Sequence, residues 1–169
     1  MPSNVSAGVI AGGVGGIIFG MGMQMMTAPT PDGGQVPMIA MVGQVPIMND
    51  PTGSLAGMNP ATLGWIYHLI NSAVIGGIFG LLVKGGIQSY GAGLLWGAVY
   101  GFAWWILGGL ILMPMLLRMP VAAPLMMAPM RPVALGSLMG HLLFGLILGT
   151  TFVWLSRGAT SRPKLGASR

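Results

Sequence analysis

Four long runs of apolar residues, separated by more polar segments, dominate the hydropathy pattern of the chain. They cover about residues 5–26, 61–83, 90–113 and 133–154, and none contains Asp, Glu, Lys or Arg. A helix needs about 20 apolar residues to cross a bilayer, and the strands of a membrane barrel would alternate polar with apolar positions, which these runs do not. The pattern therefore predicts an all-α fold, a single membrane domain built as a bundle of four transmembrane helices.

Residues typical of helix boundaries stand at the ends of these runs. Asn59-Pro60 has the residue types of an N-cap followed by a first helical residue, and Pro132 is placed to open the fourth helix in the same way. Met113-Pro114 is expected to close the third helix, because proline cannot donate the backbone hydrogen bond that a helix interior requires.

The basic residues predict the orientation of the bundle. Two long loops, at about 27–60 and 114–131, fall on one side, whereas both termini, the tail 155–169 and the short connection 84–89 fall on the other. Cytoplasmic segments of membrane proteins carry an excess of Lys and Arg. We therefore expect the N- and C-termini on the cytoplasmic side of a prokaryotic inner (cytoplasmic) membrane. The bases on the side of the termini are Lys84, Arg157, Arg162, Lys164 and Arg169, against Arg118 and Arg131 on the loop side.

Composition supports the membrane prediction and narrows the chemistry. Charged residues make up 5% of the 169 residues, whereas a soluble domain has about 25%. The absence of Cys removes thiolate catalysis and cysteine-ligated metal sites. The net charge of +5 comes mostly from bases that flank the spans, so it does not indicate nucleic-acid binding. No phosphate-binding loop, dinucleotide fingerprint or HExxH motif is present, and no enzyme activity is predicted.

Small residues recur at intervals of four in every predicted helix and form a stripe along it. Such stripes let membrane helices approach closely, so we expect glycine-zipper packing. Four stripes in one chain also favour contact with a helix of another subunit. The stripe residues are Gly12, Gly16 and Gly20; Ser72, Gly76 and Gly80; Gly93, Gly97 and Gly101; and Gly145 and Gly149.

Both histidines of the chain lie within the predicted spans. His68 and His141 lie at similar depths in the second and fourth helices, and each has a serine four positions away, Ser72 and Ser137 respectively. One interpretation is structural, in which each imidazole joins two helices through a hydrogen bond. The other is ligation of a metal, haem or chlorin, because neutral imidazole is a common ligand of this kind. Neighbouring polar residues that can join this cluster are Asn71 and Gln24.

The second and fourth predicted helices also share a pattern. It indicates a duplicated helical hairpin, because the two helices run in the same direction and their matching residues keep a constant separation. His68, Gly76 and Phe79 align with His141, Gly149 and Phe152.

The methionines are distributed on one side. The chain has sixteen, and all except Met1 fall on the side of the long loops. Thioether sulfur is a soft ligand that suits Cu(I), whereas methionine is also a pliable apolar residue for packing. The Cu(I) interpretation places the ligands at Met21, Met23, Met25, Met26, Met113 and Met115, together with His68 and His141.

Three functional hypotheses follow. The leading one is a non-catalytic accessory subunit that packs into a hetero-oligomeric membrane complex through its glycine-rich helix faces and long apolar loops. The alternative is a copper-handling membrane protein, and the second alternative is a haem- or chlorin-binding subunit. In all three the expected surroundings are the lipid bilayer and other membrane subunits, and no nucleic acid.

Overall fold

The computed structural model describes residues 3–30, 32–46, 55, 57–83 and 86–157. It is mostly helical, and it confirms four helical stretches long and apolar enough to cross a membrane. Three of them are single α-helices, α1 (Asn4–Met25), α3 (Pro60–Val83) and α7 (Arg131–Arg157). The other begins as α4 (Tyr90–Trp104), continues as a π-helix (Trp105–Leu112) and ends as α5 (Met113–Leu116).

The predicted orientation of the termini stays a prediction. Four of the bases on which it depends, together with Met48 and Asp50 of the first loop, lie outside the described residues. We therefore name the two ends of the bundle by structure. The loop end carries the described parts of the two long loops, and the other is the termini end. The four bases are Lys84, Arg162, Lys164 and Arg169.

Polar side chains cap the helices where they begin. The Asn59 carboxamide oxygen accepts a hydrogen bond of 2.8 Å from the amide of Ala61 at the start of α3. Ser89 caps α4 in a similar way, with a hydrogen bond of 3.1 Å from the amide of Ala92. The predicted start of the second helix at Pro60 therefore agrees with the structure, since the cap satisfies an amide that has no partner within the helix.

The third transmembrane stretch ends later than predicted. Met113-Pro114 does not close it, because the helical path continues to Leu116. Pro114 lies in the first turn of α5, a position that does not need the hydrogen bond proline cannot donate. The preceding π-helix brings the Met113 amide to the carbonyl of Gly108, five residues earlier, so the wider turn leads into the proline without a break.

Several glycines lie where the helices approach one another most closely. α1 packs antiparallel on α3, α4 packs antiparallel on α7, and α1 also packs on α7. A methyl group placed on Gly12 would lie 2.9 Å from the Cα of Gly76, and one placed on Gly97 would lie 3.3 Å from the Cα of Gly149. The backbones therefore approach more closely than residues with a Cβ would allow at these positions.

The hairpins α1–α3 and α4–α7 are built in the same way. Gly76 of α3 packs against α1 as Gly149 of α7 packs against α4. The equivalent residues Phe79 and Phe152 meet between the hairpins, with ring centroids 5.5 Å apart. The duplication of the hairpin stays a prediction from the sequence.

Short elements fold the long loops over the loop end. The strands β1 (Thr27–Pro29) and β2 (Gln35–Pro37) form an antiparallel hairpin, and α2 (Met38–Val42) follows directly. α2 packs on α3, where Gly43 and Gly64 allow the backbones to touch. The second long loop contains α6 (Ala123–Met126) and a 3₁₀ turn (Ala128–Met130). These elements cover the ends of the helices and carry several methionines.

A gap separates α3 from α4. The Tyr100 hydroxyl crosses it and donates a hydrogen bond of 2.7 Å to the carbonyl of Ile75. Toward the loop end the gap widens into a cavity of about 300 Å³, which we call the loop-end cavity and which Ile75 lines. Toward the termini end lies an apolar depression of about 410 Å³, the inner groove, which Tyr100 lines.

Candidate functional site

The loop-end cavity combines an apolar lining with a small set of polar side chains. It lies between α1, α3, α7 and the π-helix, and the short elements of the two long loops contribute to its lining. Concave, mostly apolar sites with a few convergent polar groups are typical of ligand-binding pockets. Its polar lining residues are His68, Asn71, Ser72, Ser137 and His141, and its aromatic lining residues are Phe19, Tyr67, Trp104, Trp105 and Phe144.

Both predicted histidines line this cavity, and each is held by a backbone carbonyl. His68 is buried, and its Nε2 lies 2.9 Å from the carbonyl oxygen of Gly16 on α1. The Nδ1 of His141 lies 2.7 Å from the carbonyl oxygen of Ser137 and 3.3 Å from the hydroxyl of the same serine. Because a carbonyl oxygen only accepts, the nitrogen facing it carries the hydrogen. In the neutral rings this leaves Nδ1 of His68 and Nε2 of His141 as acceptors.

Phe19 of α1 fixes the spacing between the two imidazoles. Its ring makes edge contacts with His68, at a centroid distance of 5.2 Å, and with His141, at 4.9 Å. The ring is held against α7 because Gly140 has no side chain to displace it. The two histidines are therefore neighbours in one site, and both contact the same aromatic ring.

The Nε2 of His141 faces the wide turns of the π-helix. A methyl group built on Gly108 would lie 3.9 Å from this nitrogen. The neighbouring Gly109 also lines the cavity, and Trp105 joins the π-helix to α7 through a hydrogen bond of 3.2 Å from its indole nitrogen to the carbonyl of Ala134. Stretches of π-helix occur frequently at functional sites, and the sequence pattern gave no signal for this one.

The structure divides the predicted methionine ligands into two groups. Met23 and Met113 line the cavity with the histidines. Met21, Met25 and Met115 are 58%, 85% and 57% exposed and do not line it. The remaining predicted ligand, Met26, packs against Gly136 of α7.

Four further methionines, which were not singled out from the sequence, line the cavity. They come from segments whose position depends on the folding of the loops over the helix ends. The one sequence signal for them is the concentration of methionine in both loops. They are Met38 and Met41 from α2, Met119, and Met130 from the 3₁₀ turn.

The polar neighbours expected around the histidines are partly present. Ser137 contacts His141, and Ser72 lines the cavity where it packs against Gly16. Gln24 does not join them, because its side-chain oxygen accepts a hydrogen bond of 3.3 Å from the Trp65 indole. Asn71 lies on the rim of the cavity facing the gap between α3 and α4, and its side chain is exposed.

The donor set of the cavity is soft and uncharged. Within the described part of the chain, no group of three or more His, Asp or Glu side chains is arranged to hold a metal ion. Ca²⁺ and Mg²⁺ take oxygen ligands, mainly carboxylates and carbonyls, and no carboxylate lines this cavity among the described residues. Among the lining groups, thioether sulfur and neutral imidazole are those suited to a soft metal ion.

The fold and the cavity fit a multi-pass integral membrane protein in contact with lipid. Comparison with family models, curated proteins and solved structures found no match for the chain. Function is therefore inferred from the geometry of the loop-end cavity and from the chemistry of the residues that line it.

Proposed function

We propose that this chain is a non-catalytic, copper-handling membrane protein that binds Cu(I) in the loop-end cavity. One observation carries the proposal: two histidines and six methionines line a single cavity of about 300 Å³. Thioether and imidazole groups suit Cu(I), whereas carboxylates and carbonyls suit harder ions. The six methionines are Met23, Met38, Met41, Met113, Met119 and Met130.

The hydrogen bonds of the histidines support ligation. A histidine that binds a metal usually donates its other ring N–H to a carbonyl or carboxylate, which fixes the ring and raises its basicity. The carbonyls of Gly16 and Ser137 take this role for His68 and His141. Each ring then presents its unprotonated nitrogen as a ligand, Nδ1 of His68 and Nε2 of His141.

The position of the cavity suggests the direction of transfer. The cavity lies at the loop end, and the basic residues of the chain favour placing that end outside a prokaryotic inner membrane. A site there would receive Cu(I) from the external side and store it or deliver it to a partner. The exposed methionines of the same end would then form a surface where weakly bound ions first arrive.

The test is a Cu(I) titration of the purified protein in mild detergent, with a chromophoric chelator as competitor and a reductant present. We expect one tightly bound Cu(I) per chain. Exchanging the cavity residues Met23→Leu and Met113→Leu should weaken binding at least tenfold, because it removes two sulfur ligands while nearly preserving volume.

The matched control exchanges two exposed methionines, Met25→Leu and Met115→Leu. This variant changes the same number of sulfurs but leaves the cavity lining intact, so its affinity should equal that of the wild type. Copper at background level in the wild type, or equal affinities of the two double variants, would reject the proposal.

The same geometry disfavours the haem or chlorin alternative. A haem or chlorin held by both imidazoles would need space beside them, and the Phe19 ring, which packs on Gly140, already contacts each imidazole. Absence of Soret and chlorin bands from the native protein is the expected result.

A second candidate function is the accessory subunit of a hetero-oligomeric membrane complex. The observation that favours it is the third transmembrane stretch, in which 11% of the apolar window is buried within the chain, against 33% to 39% in the other three. The open face between α3 and α4 would then receive a helix of another subunit. Extraction in mild detergent followed by native mass spectrometry tests this, and a species that contains only copies of the 17.4 kDa chain contradicts it.

A further inference from the structure

Asn71 is a polar side chain at the middle of the membrane-spanning part of the protein. It is the twelfth of the 24 residues of α3, so half of the helix lies on either side of it. Its side chain is exposed on the face of α3 that borders the gap toward α4. Among the described residues, its carboxamide has no hydrogen-bond partner.

Three other polar side chains of the membrane-spanning helices bond to backbone carbonyls within the chain. His68 donates to Gly16, Tyr100 to Ile75, and the hydroxyl of Thr150 bonds the carbonyl of Leu146 at 2.8 Å. In hydrocarbon no water satisfies a carboxamide, so an unpaired one is costly and is usually matched by a group on a neighbouring helix. No described residue supplies this group, and the exposure of Asn71 leaves its carboxamide accessible to a group from outside the chain.

We propose that Asn71 pairs with Asn71 of a second copy, so that the protein forms a homodimer through α3. A carboxamide is both a donor and an acceptor, and two copies related by a two-fold axis along the membrane normal can exchange two hydrogen bonds. Copies of one chain insert in the same orientation, which brings their Asn71 residues to the same depth. Exposed apolar residues of α3 flank the pair, namely Ile70, Val74 and Ile78.

The dimer would also complete the loop-end cavity. Asn71 lies on its rim, at the side where α3 and α4 do not pack against each other. A second copy placed there would cover the rim on the lipid side. The proposal does not depend on copper binding, because it rests on a hydrogen-bonding group that the cavity leaves unpaired.

Cysteine cross-linking in native membranes tests the dimer, since the chain contains no Cys that would interfere. Ile78→Cys places a thiol seven residues from Asn71, about 20° away around the helix. Ile66→Cys is the matched control, with an exposure of 37% against 36% for Ile78. It lies about 140° away from Asn71 around the helix. Oxidation should produce a disulfide-linked dimer from Ile78→Cys and little from Ile66→Cys.

The role of the carboxamide is then isolated by adding Asn71→Leu to the Ile78→Cys chain. We expect the cross-linked fraction to fall at least fivefold, whereas Asn71→Gln should retain most of it because it keeps both the donor and the acceptor. Gel filtration in detergent checks that each variant is folded. Equal cross-linking at positions 66 and 78, or cross-linking that persists in a folded Asn71→Leu variant, would overturn the proposal and leave cavity water as the partner of Asn71.

Discussion

The backbone amide of Ala122 donates a hydrogen bond of 2.8 Å to the carbonyl of Leu110 in the π-helix. Pro114 stands four residues after Leu110 and has no amide hydrogen to offer that carbonyl. Ala122 adopts a left-handed conformation, with φ of 59°, at the start of α6. The Leu110 carbonyl, which Pro114 cannot satisfy, therefore accepts the hydrogen bond that holds the loop beside the cavity.

We predict that Pro114→Ala weakens the hydrogen bond from the Ala122 amide to the Leu110 carbonyl. The new amide hydrogen competes for the carbonyl of Leu110 and favours an ordinary α-helical path in place of the wide turns. Hydrogen–deuterium exchange in detergent should then be faster in the segment 117–127 than in the wild type, while α1 and α3 keep their protection.

Pro120→Ala is the control for that change. Pro120 is an exposed proline of the same loop, and its carbonyl accepts a hydrogen bond of 3.0 Å from the amide of Ala123 within that loop. Its exchange pattern should match the wild type. Identical protection of the segment 117–127 in all three proteins would show that the Ala122–Leu110 hydrogen bond does not hold the loop.

A second prediction concerns the approach of α1 to α3. Gly12→Ala places a methyl group 2.9 Å from the Cα of Gly76, where neither backbone can move without separating the helices. Overpacking of this kind costs about 1–3 kcal/mol. The free energy of unfolding in detergent, followed by circular dichroism, should fall by that amount.

The adjacent Gly13 is a matched control on the same helix. No described atom outside the helix lies within 4 Å of a methyl group built there. Gly13→Ala should be neutral or should stabilise the protein by up to about 1 kcal/mol, because alanine favours the helical conformation. Equal destabilisation by the two substitutions would contradict the close approach at Gly12.

The sequence predicted the transmembrane helices because length and hydropathy alone decide which segments can cross a bilayer. It also predicted that His68 and His141 lie at one depth, since the rise per residue of a helix converts position into depth. Both histidines line the loop-end cavity in the structure. The carbonyl that holds each ring was not predictable, because the partner of His68 is Gly16 on another helix.

The methionine site was predictable only in part. Met23 and Met113 lie at helix ends, where the order of residues along the helix nearly fixes their placement. Met38 and Met41 reach the cavity because α2 folds over α3 through the Gly43–Gly64 contact, which depends on tertiary packing. The π-helix was not predicted from the sequence, because apolar residues surround that stretch and leave no periodicity to interpret.

A third prediction concerns Asp32 in the turn between β1 and β2. Hydrogen bonds from the Thr30 hydroxyl and from backbone amides lower the pKa of the Asp32 carboxyl below its ordinary value of 3.8. The ionised carboxylate therefore stabilises the turn above the unfolded-state pKa, and this contribution is lost as the pH falls through the lower, folded-state pKa. Thr30→Val removes the largest cause and should raise the pKa of Asp32 toward 3.8.

The measurement is an NMR titration of carbon-13-labelled aspartate, in which Asp50 is the other signal of the chain. Thr27→Val is the control, because the Thr27 hydroxyl bonds Gln35 at 2.7 Å and is not among the groups that shift the pKa of Asp32. A pKa of Asp32 that is the same in the Thr30→Val and Thr27→Val proteins would count against the proposed hydrogen bond.

The last prediction concerns the link between the two hairpins. Tyr100→Phe removes the hydroxyl that joins α4 to the Ile75 carbonyl and should lower the free energy of unfolding by about 0.5–1.5 kcal/mol. Because this hydrogen bond joins α4 to α3 across the gap, its loss should let the two helices move apart. Spin labels on cysteines introduced at the exposed positions Leu82 and Val99 should report a broader distance distribution.

Tyr67→Phe, which removes a hydroxyl that has no hydrogen bond among the described residues, should change neither quantity. An unchanged distance distribution in a Tyr100→Phe protein that is measurably less stable would mean that the hydroxyl stabilises α4 without holding the gap at its present width.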